Sequence, residues 1–99
     1  MNGQKMTQAK HPAKFHNLIL QETLPFLIER KRLLDPMAGV GKVCRLKEMG
    51  FTGKICCNEL EPEWANQIAG VDNVTILDCR KLPWPNDTFD CIFTSPTWA

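Results

Sequence analysis

The sequence predicts an α/β domain, a small parallel sheet covered by helices. Short apolar runs alternate along the chain with segments of helical periodicity, and that alternation builds parallel strands joined by crossover helices. Proline and glycine stand where one element gives way to the next. The bulk composition agrees: 99 residues, 43% hydrophobic and 23% charged, fit one globular domain with a modest core.

Residues 1–11 are polar and aperiodic, and read as a mobile arm ahead of a domain over 12–99. A helix is expected from Pro12, with Phe15, Leu18, Ile19 and Glu22 at helical spacing. Pro25 should kink or end it, because proline lacks an N–H and clashes one turn back. A short turn over 26–30 follows. Arg32-Leu33-Leu34-Asp35 is an apolar run closed by Pro36, hence a strand. A glycine-bearing turn leads to a helix over 42–49, where Val43, Leu46 and Met49 recur every three residues and Gly50 marks the end. A second strand is expected over 54–58. A helix over 61–69 has Pro62 in its first turn and Gly70 after its end. A third strand over 74–77, a proline-rich loop over 81–87 and a fourth strand over 89–94, stopped by Pro96, complete the order.

Charge and cysteine usage exclude several classes. The formal net charge is +1, far from that of a strongly basic nucleic-acid module. Lys5, Lys10, Lys14, Arg30, Lys31 and Arg32 do crowd the first third; a solvated face and a phosphate-facing surface are both compatible with this. The five cysteines form no C-x-x-C pair and have no neighbouring histidine, so no metal site is expected. Cys56 and Cys57 should point to opposite faces of their strand. The polar first 14 residues do not resemble a signal peptide, and no apolar run approaches the ~20 residues of a membrane span. A cytoplasmic setting with free thiols and no membrane partner is expected.

Four elements carry chemistry. The first is Leu33-Leu34-Asp35-Pro36-Met37-Ala38-Gly39-Val40-Gly41, a strand, a glycine turn and a helix start, where open parallel sheets bind ligands. A phosphate-cradling loop needs glycine where Pro36 stands and a hydroxyl where Val43 stands. The dinucleotide fingerprint needs a third glycine where Cys44 stands, and Asp35 would repel a pyrophosphate. Asp35 instead suits a ligand with cationic groups; a plain strand-to-helix turn is the alternative. The second element is Asn58-Glu59-Leu60-Glu61-Pro62. An acid about 20 positions after a glycine turn can accept hydrogen bonds from ribose hydroxyls. Glu59 is the candidate, while Glu61 stands in a helix's first turn, where the dipole favours an acid in any protein. The third is Leu77-Asp78-Cys79-Arg80, whose Asp78 either accepts from an adenine amino group or simply forms a turn. The fourth is Thr94-Ser95-Pro96-Thr97-Trp98. Ser95 Oγ and the Pro96 carbonyl can accept N–H protons from an exocyclic base amine, freeing its lone pair for attack. Trp98 can stack on an extruded base, a contact worth ~1–3 kcal/mol. A strand exit with an aromatic tucked into the core is the other reading.

Together these elements resemble the amino-methyltransferase branch of the Rossmann-like, S-adenosylmethionine-dependent methyltransferases. Asp35-Pro36-Met37-Ala38-Gly39-Val40-Gly41 resembles the family's D-P-F-A-G-x-G cofactor motif, and Ser95-Pro96-Thr97-Trp98 its [D/N/S]-P-P-[Y/F/W] catalytic motif. His11-Pro12-Ala13-Lys14-Phe15 is similar to the segment that precedes the cofactor motif in DNA methylases and packs near the methionine end. The resemblance implies catalytic roles for Ser95, Pro96 and Trp98. It implies cofactor contacts at Phe15, Asp35, Ala38, Gly39, Gly41, Glu59, Asp78 and Cys79. The reaction implied is direct methyl transfer from S-adenosyl-L-methionine to an exocyclic amine of adenine or cytosine in DNA, on a flipped base. An RNA target is the nearest alternative. No cysteine stands in the Pro-Cys setting of ring-carbon methylation.

Thr97 stands where the family usually has a second proline, as in variants that resemble phage-encoded methylases, which implies a bacterial or phage-infected cytoplasm. The sequence ends at Ala99, whereas the family's sheet is larger. The expectation is therefore a Rossmann-like methyltransferase sheet truncated to about four parallel strands with flanking helices, the fourth strand an open edge. A non-catalytic cofactor-binding remnant, or half of a split methylase completed by a second polypeptide, is the alternative.

Overall fold

The computed structural model describes residues 17–94. The expected mobile arm, the helix start at 12–16 with Phe15, and Ser95, Pro96 and Trp98 lie outside the described residues.

Helix α1 (Asn17–Leu27) carries Pro25 inside it and stops two residues later, at Leu27. Proline has no N–H for the Gln21 carbonyl one turn back and crowds it, and the helix does not run far past that point. Leu20 and Leu27, with Leu24 between them, form one stripe at i, i+4 and i+7 that packs on the sheet. Strand β1 (Arg32–Asp35) follows, ending at Pro36 as expected.

The helix expected over 42–49 forms in two pieces. A 3₁₀ turn over Lys42–Cys44 tightens the entry from the glycine turn, and α2 (Arg45–Glu48) continues it. Val43 and Leu46 are fully buried. Strand β2 (Lys54–Asn58) buries Ile55 and Cys57 and leaves Cys56 half-exposed, so the two adjacent cysteines do face opposite ways.

Helix α3 (Pro62–Ala65) is shorter than the 61–69 expected. Beyond it the amides of Gln67 and Ile68 bond three residues back, to Trp64 and Ala65, as the turn tightens. Ile68 then lies over the glycine turn: a Cβ on Gly41 would sit 2.8 Å from Ile68 Cγ2.

Strand β3 (Asn73–Thr75) starts one residue early and leaves the ladder before Leu77. The cause is a contact from across the sheet: the Leu77 N–H and carbonyl are both bonded to the Asn58 side chain. Strand β4 (Cys91–Ile92) is the core of the segment expected over 89–94. Its pairing with β1 is flanked by Asp90 N–H to the Arg32 carbonyl and Phe93 N–H to the Leu34 carbonyl, both 3.0 Å. Phe89 instead turns its ring edge-on to Trp84, with centroids 5.0 Å apart. The Asp90 carboxylate accepts from the amides of Lys31 and Arg32, pinning the start of β4 to the start of β1.

The four strands make one parallel sheet in the order β3-β2-β1-β4. The chain steps outward from β1 to β3, then crosses back to the far side of β1. That reversal is a topological switch point, and open α/β sheets bind ligands outside the carboxyl ends of strands at such a point. One apolar cluster, from Leu20 and Leu27 on α1 to Leu33, Val43, Leu46, Phe51, Ile55 and Cys57, fills the space between the helices and one sheet face. Among the described residues no helix is long and apolar enough to cross a membrane.

Candidate functional site

At the carboxyl end of β1, Asp35 is buried to 1% exposure. Its Oδ1 accepts from the Met37 amide at 3.2 Å and from Thr94 Oγ1 at 2.6 Å. Burial pushes its carboxyl up from the ordinary 3.8 to about 6; the two hydrogen bonds pull the other way, and the nearby Glu59 charge adds to the rise. A buried carboxylate in this state gains most from a cationic partner.

The glycine turn wraps past Asp35. Gly39 (φ 62°) and Gly41 (φ 86°) both take the left-handed conformation that only glycine adopts freely. The turn is tied to β2 at two points. The Ala38 N–H donates to the Asn58 carbonyl at 2.9 Å, and the Gly39 N–H to Glu59 Oε1 at 2.7 Å. Glu59 Oε2 accepts from the Glu61 amide at 2.9 Å, at the start of α3. Among the described residues, Glu59 is therefore both a buried tie between loops and an acceptor with one lone pair left on each oxygen.

The turns after β1, β2 and β3 enclose a cavity of about 380 Å³. Pro36 and Met37 line it from the first turn, Asn58 to Glu61 from the second, and Leu77, Asp78 and Cys79 from the third. Trp64 on α3 and Glu63 complete the wall. The volume falls in the range of small-molecule sites. Its walls combine apolar surface with the carboxylates of Glu59, Glu61, Glu63 and Asp78. Such a lining disfavours phosphate and suits a neutral or cationic ligand.

Of the residues singled out in the sequence, Glu59, Asp78 and Cys79 line this cavity, while Asp35, Ala38, Gly39 and Gly41 form the turn beside it. Asp78 caps the 3₁₀ turn Cys79–Lys81, and its carboxylate holds the Arg80 guanidinium and amide. That pairing lowers the Asp78 carboxyl to about 2. Three participants were not assigned from sequence: Asn58 as a linker of loops, Trp64 as a wall, and Thr94 as the partner of Asp35. Only Asn58 left a signal, as an amide ending an apolar strand next to the chosen acid. Among the described residues no group of three or more His, Cys, Asp or Glu is placed to hold a metal ion. Set against known proteins, the chain matches no family model and no curated sequence, so the reading of this site rests on its own residues.

Proposed function

We propose that this chain is a Rossmann-like, S-adenosyl-L-methionine-dependent amino-methyltransferase acting on DNA. The observation that carries the proposal is convergence. The three segments chosen for cofactor chemistry, 33–41, 58–62 and 77–80, each contribute to one cavity on the carboxyl ends of three adjacent parallel strands. The donor set fits the group. Asp35, beside the cavity, offers a buried carboxylate to an ammonium; Glu59, with one lone pair on each oxygen left open by the described residues, suits ribose hydroxyls; and Leu77, Trp64 and Cys79 offer apolar surface to a purine. When bound, S-adenosyl-L-methionine supplies an electrophilic methyl group on a sulfonium.

The acceptor side of the proposal rests on sequence continuity. Thr94 is bonded to Asp35, and Ser95, Pro96, Thr97 and Trp98 follow it directly in the chain. In this reading the Ser95 hydroxyl and the Pro96 carbonyl accept the amine's N–H protons, and Trp98 stacks on the flipped adenine or cytosine. Calorimetric titration with S-adenosylhomocysteine tests the cofactor assignment. It fails if wild type does not bind, or if Asp35→Ala and Glu59→Ala bind as well as wild type. Transfer of a tritiated methyl group to unmodified DNA, with RNA in a parallel arm, tests the reaction. Cofactor binding without transfer to DNA would sink the enzyme assignment for this chain, and transfer to RNA alone would change the substrate.

A further inference from the structure

We infer that Asn58 is a positioning residue. It sets the distance between two walls of the cavity, the turn over 36–39 and the turn over 77–79, and so governs binding of the adenosine part of the ligand. The inference rests on the cofactor reading given above. Asn58 ends β2, the strand between the two walls, and is 1% exposed. A carboxamide has two N–H donors and two acceptor lone pairs. All four are used. Nδ2 donates to the Pro36 carbonyl at 3.1 Å and the Leu77 carbonyl at 2.8 Å. Oδ1 accepts from Thr75 Oγ1 at 2.7 Å and from the Leu77 amide at 3.1 Å. The Asn58 backbone carbonyl also takes the Ala38 N–H.

One side chain therefore anchors both walls. It also diverts Leu77 from the β ladder, which turns Asp78 and Cys79 toward the cavity rather than along a longer β3. No other residue of this length supplies both halves of the pattern. Aspartate has no donors for the Pro36 and Leu77 carbonyls and adds charge beside Asp35 and Glu59; leucine satisfies none of the four groups. Asp35 has a second tie from outside both walls, the Thr94 hydroxyl. Loss of Asn58 should thus fall on the adenosine part and spare the amino-acid end.

The test compares wild type, Asn58→Ala and Thr75→Val, the last removing only one donor to Oδ1. Each is titrated by calorimetry with S-adenosylhomocysteine and with 5′-methylthioadenosine, which keeps the adenosine but lacks the amino-acid end. Amide hydrogen exchange is read at Leu77 against Ile55. Asn58→Ala is expected to weaken both ligands by the same factor, about tenfold or more, and to speed exchange at Leu77 selectively. Thr75→Val should do both to a smaller extent, and it carries the comparison if Asn58→Ala does not fold. A lowered melting temperature with unchanged affinities overturns the inference, as does unchanged exchange at Leu77. A loss confined to S-adenosylhomocysteine overturns it too. If wild type binds neither ligand, the cofactor reading falls and with it the ligand half of the inference, while Leu77 exchange alone still decides whether Asn58 holds that turn.

Discussion

Asp35→Asn should make the protein more stable at neutral pH while removing the charge proposed to hold the cofactor. The Asp35 carboxyl is raised from 3.8 to about 6, chiefly by burial. Between these values the folded chain keeps a proton that the unfolded chain has released. Stability from this group is therefore complete below about pH 4 and is lost as pH rises toward 6. At 1.36 kcal/mol per pH unit, the cost at pH 7 is roughly 3 kcal/mol, large beside the margin of a small domain. An asparagine carbonyl oxygen can keep both existing bonds, because the Met37 amide and the Thr94 hydroxyl donate to the same atom, Oδ1. Urea unfolding of both proteins at pH 4 and pH 7.5, followed by tryptophan fluorescence, measures the difference. Asp35→Asn should exceed wild type by about 2–3 kcal/mol at pH 7.5 and match it near pH 4. Asp72, Asp78 and Asp90, all lowered in the fold, add stability that is lost at acid pH, and this cancels in the difference. An advantage equal at both pH values, or a variant less stable at pH 7.5, would refute the reasoning.

Gly41→Ala brings a Cβ within 2.8 Å of Ile68 at a backbone φ of 86°, so a loss of about 2–3 kcal/mol is expected in the same urea assay. Adding Ile68→Ala should not restore Gly41→Ala to the stability of Ile68→Ala alone, because the backbone strain remains. Asp90→Ala removes the acceptor of the Lys31 and Arg32 amides, and hydrogen exchange at these two positions should accelerate while exchange at Ile55 holds. Because these bonds lower the Asp90 carboxyl, wild-type protection there should be present above about pH 4 and fade as pH falls below it. Cys79 is exposed, whereas Cys57 is fully buried with its thiol pushed far up by burial, so iodoacetamide should label Cys79 in the folded protein and Cys57 only after unfolding. Mass spectrometry of the labelled peptides reads the order, and early labelling of Cys57 would contradict the buried placement.

How much of this was legible follows from the range of the interactions involved. Strands β1 and β2 kept their expected bounds because Pro36 on one side, and polar residues flanking Ile55 to Cys57 on the other, are local signals. Strand β3 did not. Ile76 and Leu77 extend its apolar run, but the Leu77 backbone is captured by a side chain 19 positions earlier. Helix α3 began at Pro62, one residue after the expected start, and ended early, since Ile68 is drawn over Gly41 by tertiary packing. In the site, the positions of Asp35 and Glu59 at the carboxyl ends of β1 and β2 were readable from residue type and spacing. The roles of Asn58 and Thr94 were not, because nothing near them in sequence marks a partner that lies 22 or 59 positions away.

Those separations divide the molecule into parts that can open on their own. The cavity is lined by residues within one stretch, from Pro36 to Cys79, and the side-chain ties of Asn58 and Glu59 that hold its walls reach no further than 22 positions. Strand β4 joins from outside that stretch, held by its short pairing with β1, the packing of Cys91 and Phe93, the Asp90 clamp and the Thr94 hydroxyl. A two-residue strand at the edge of the sheet among the described residues is a natural unit of partial unfolding. Peeling β4 away would expose Asp35 and carry Thr94 off without dismantling the pocket wall. Occupancy of the pocket and attachment of the last strand are thereby separable events, free to be gained or lost one at a time.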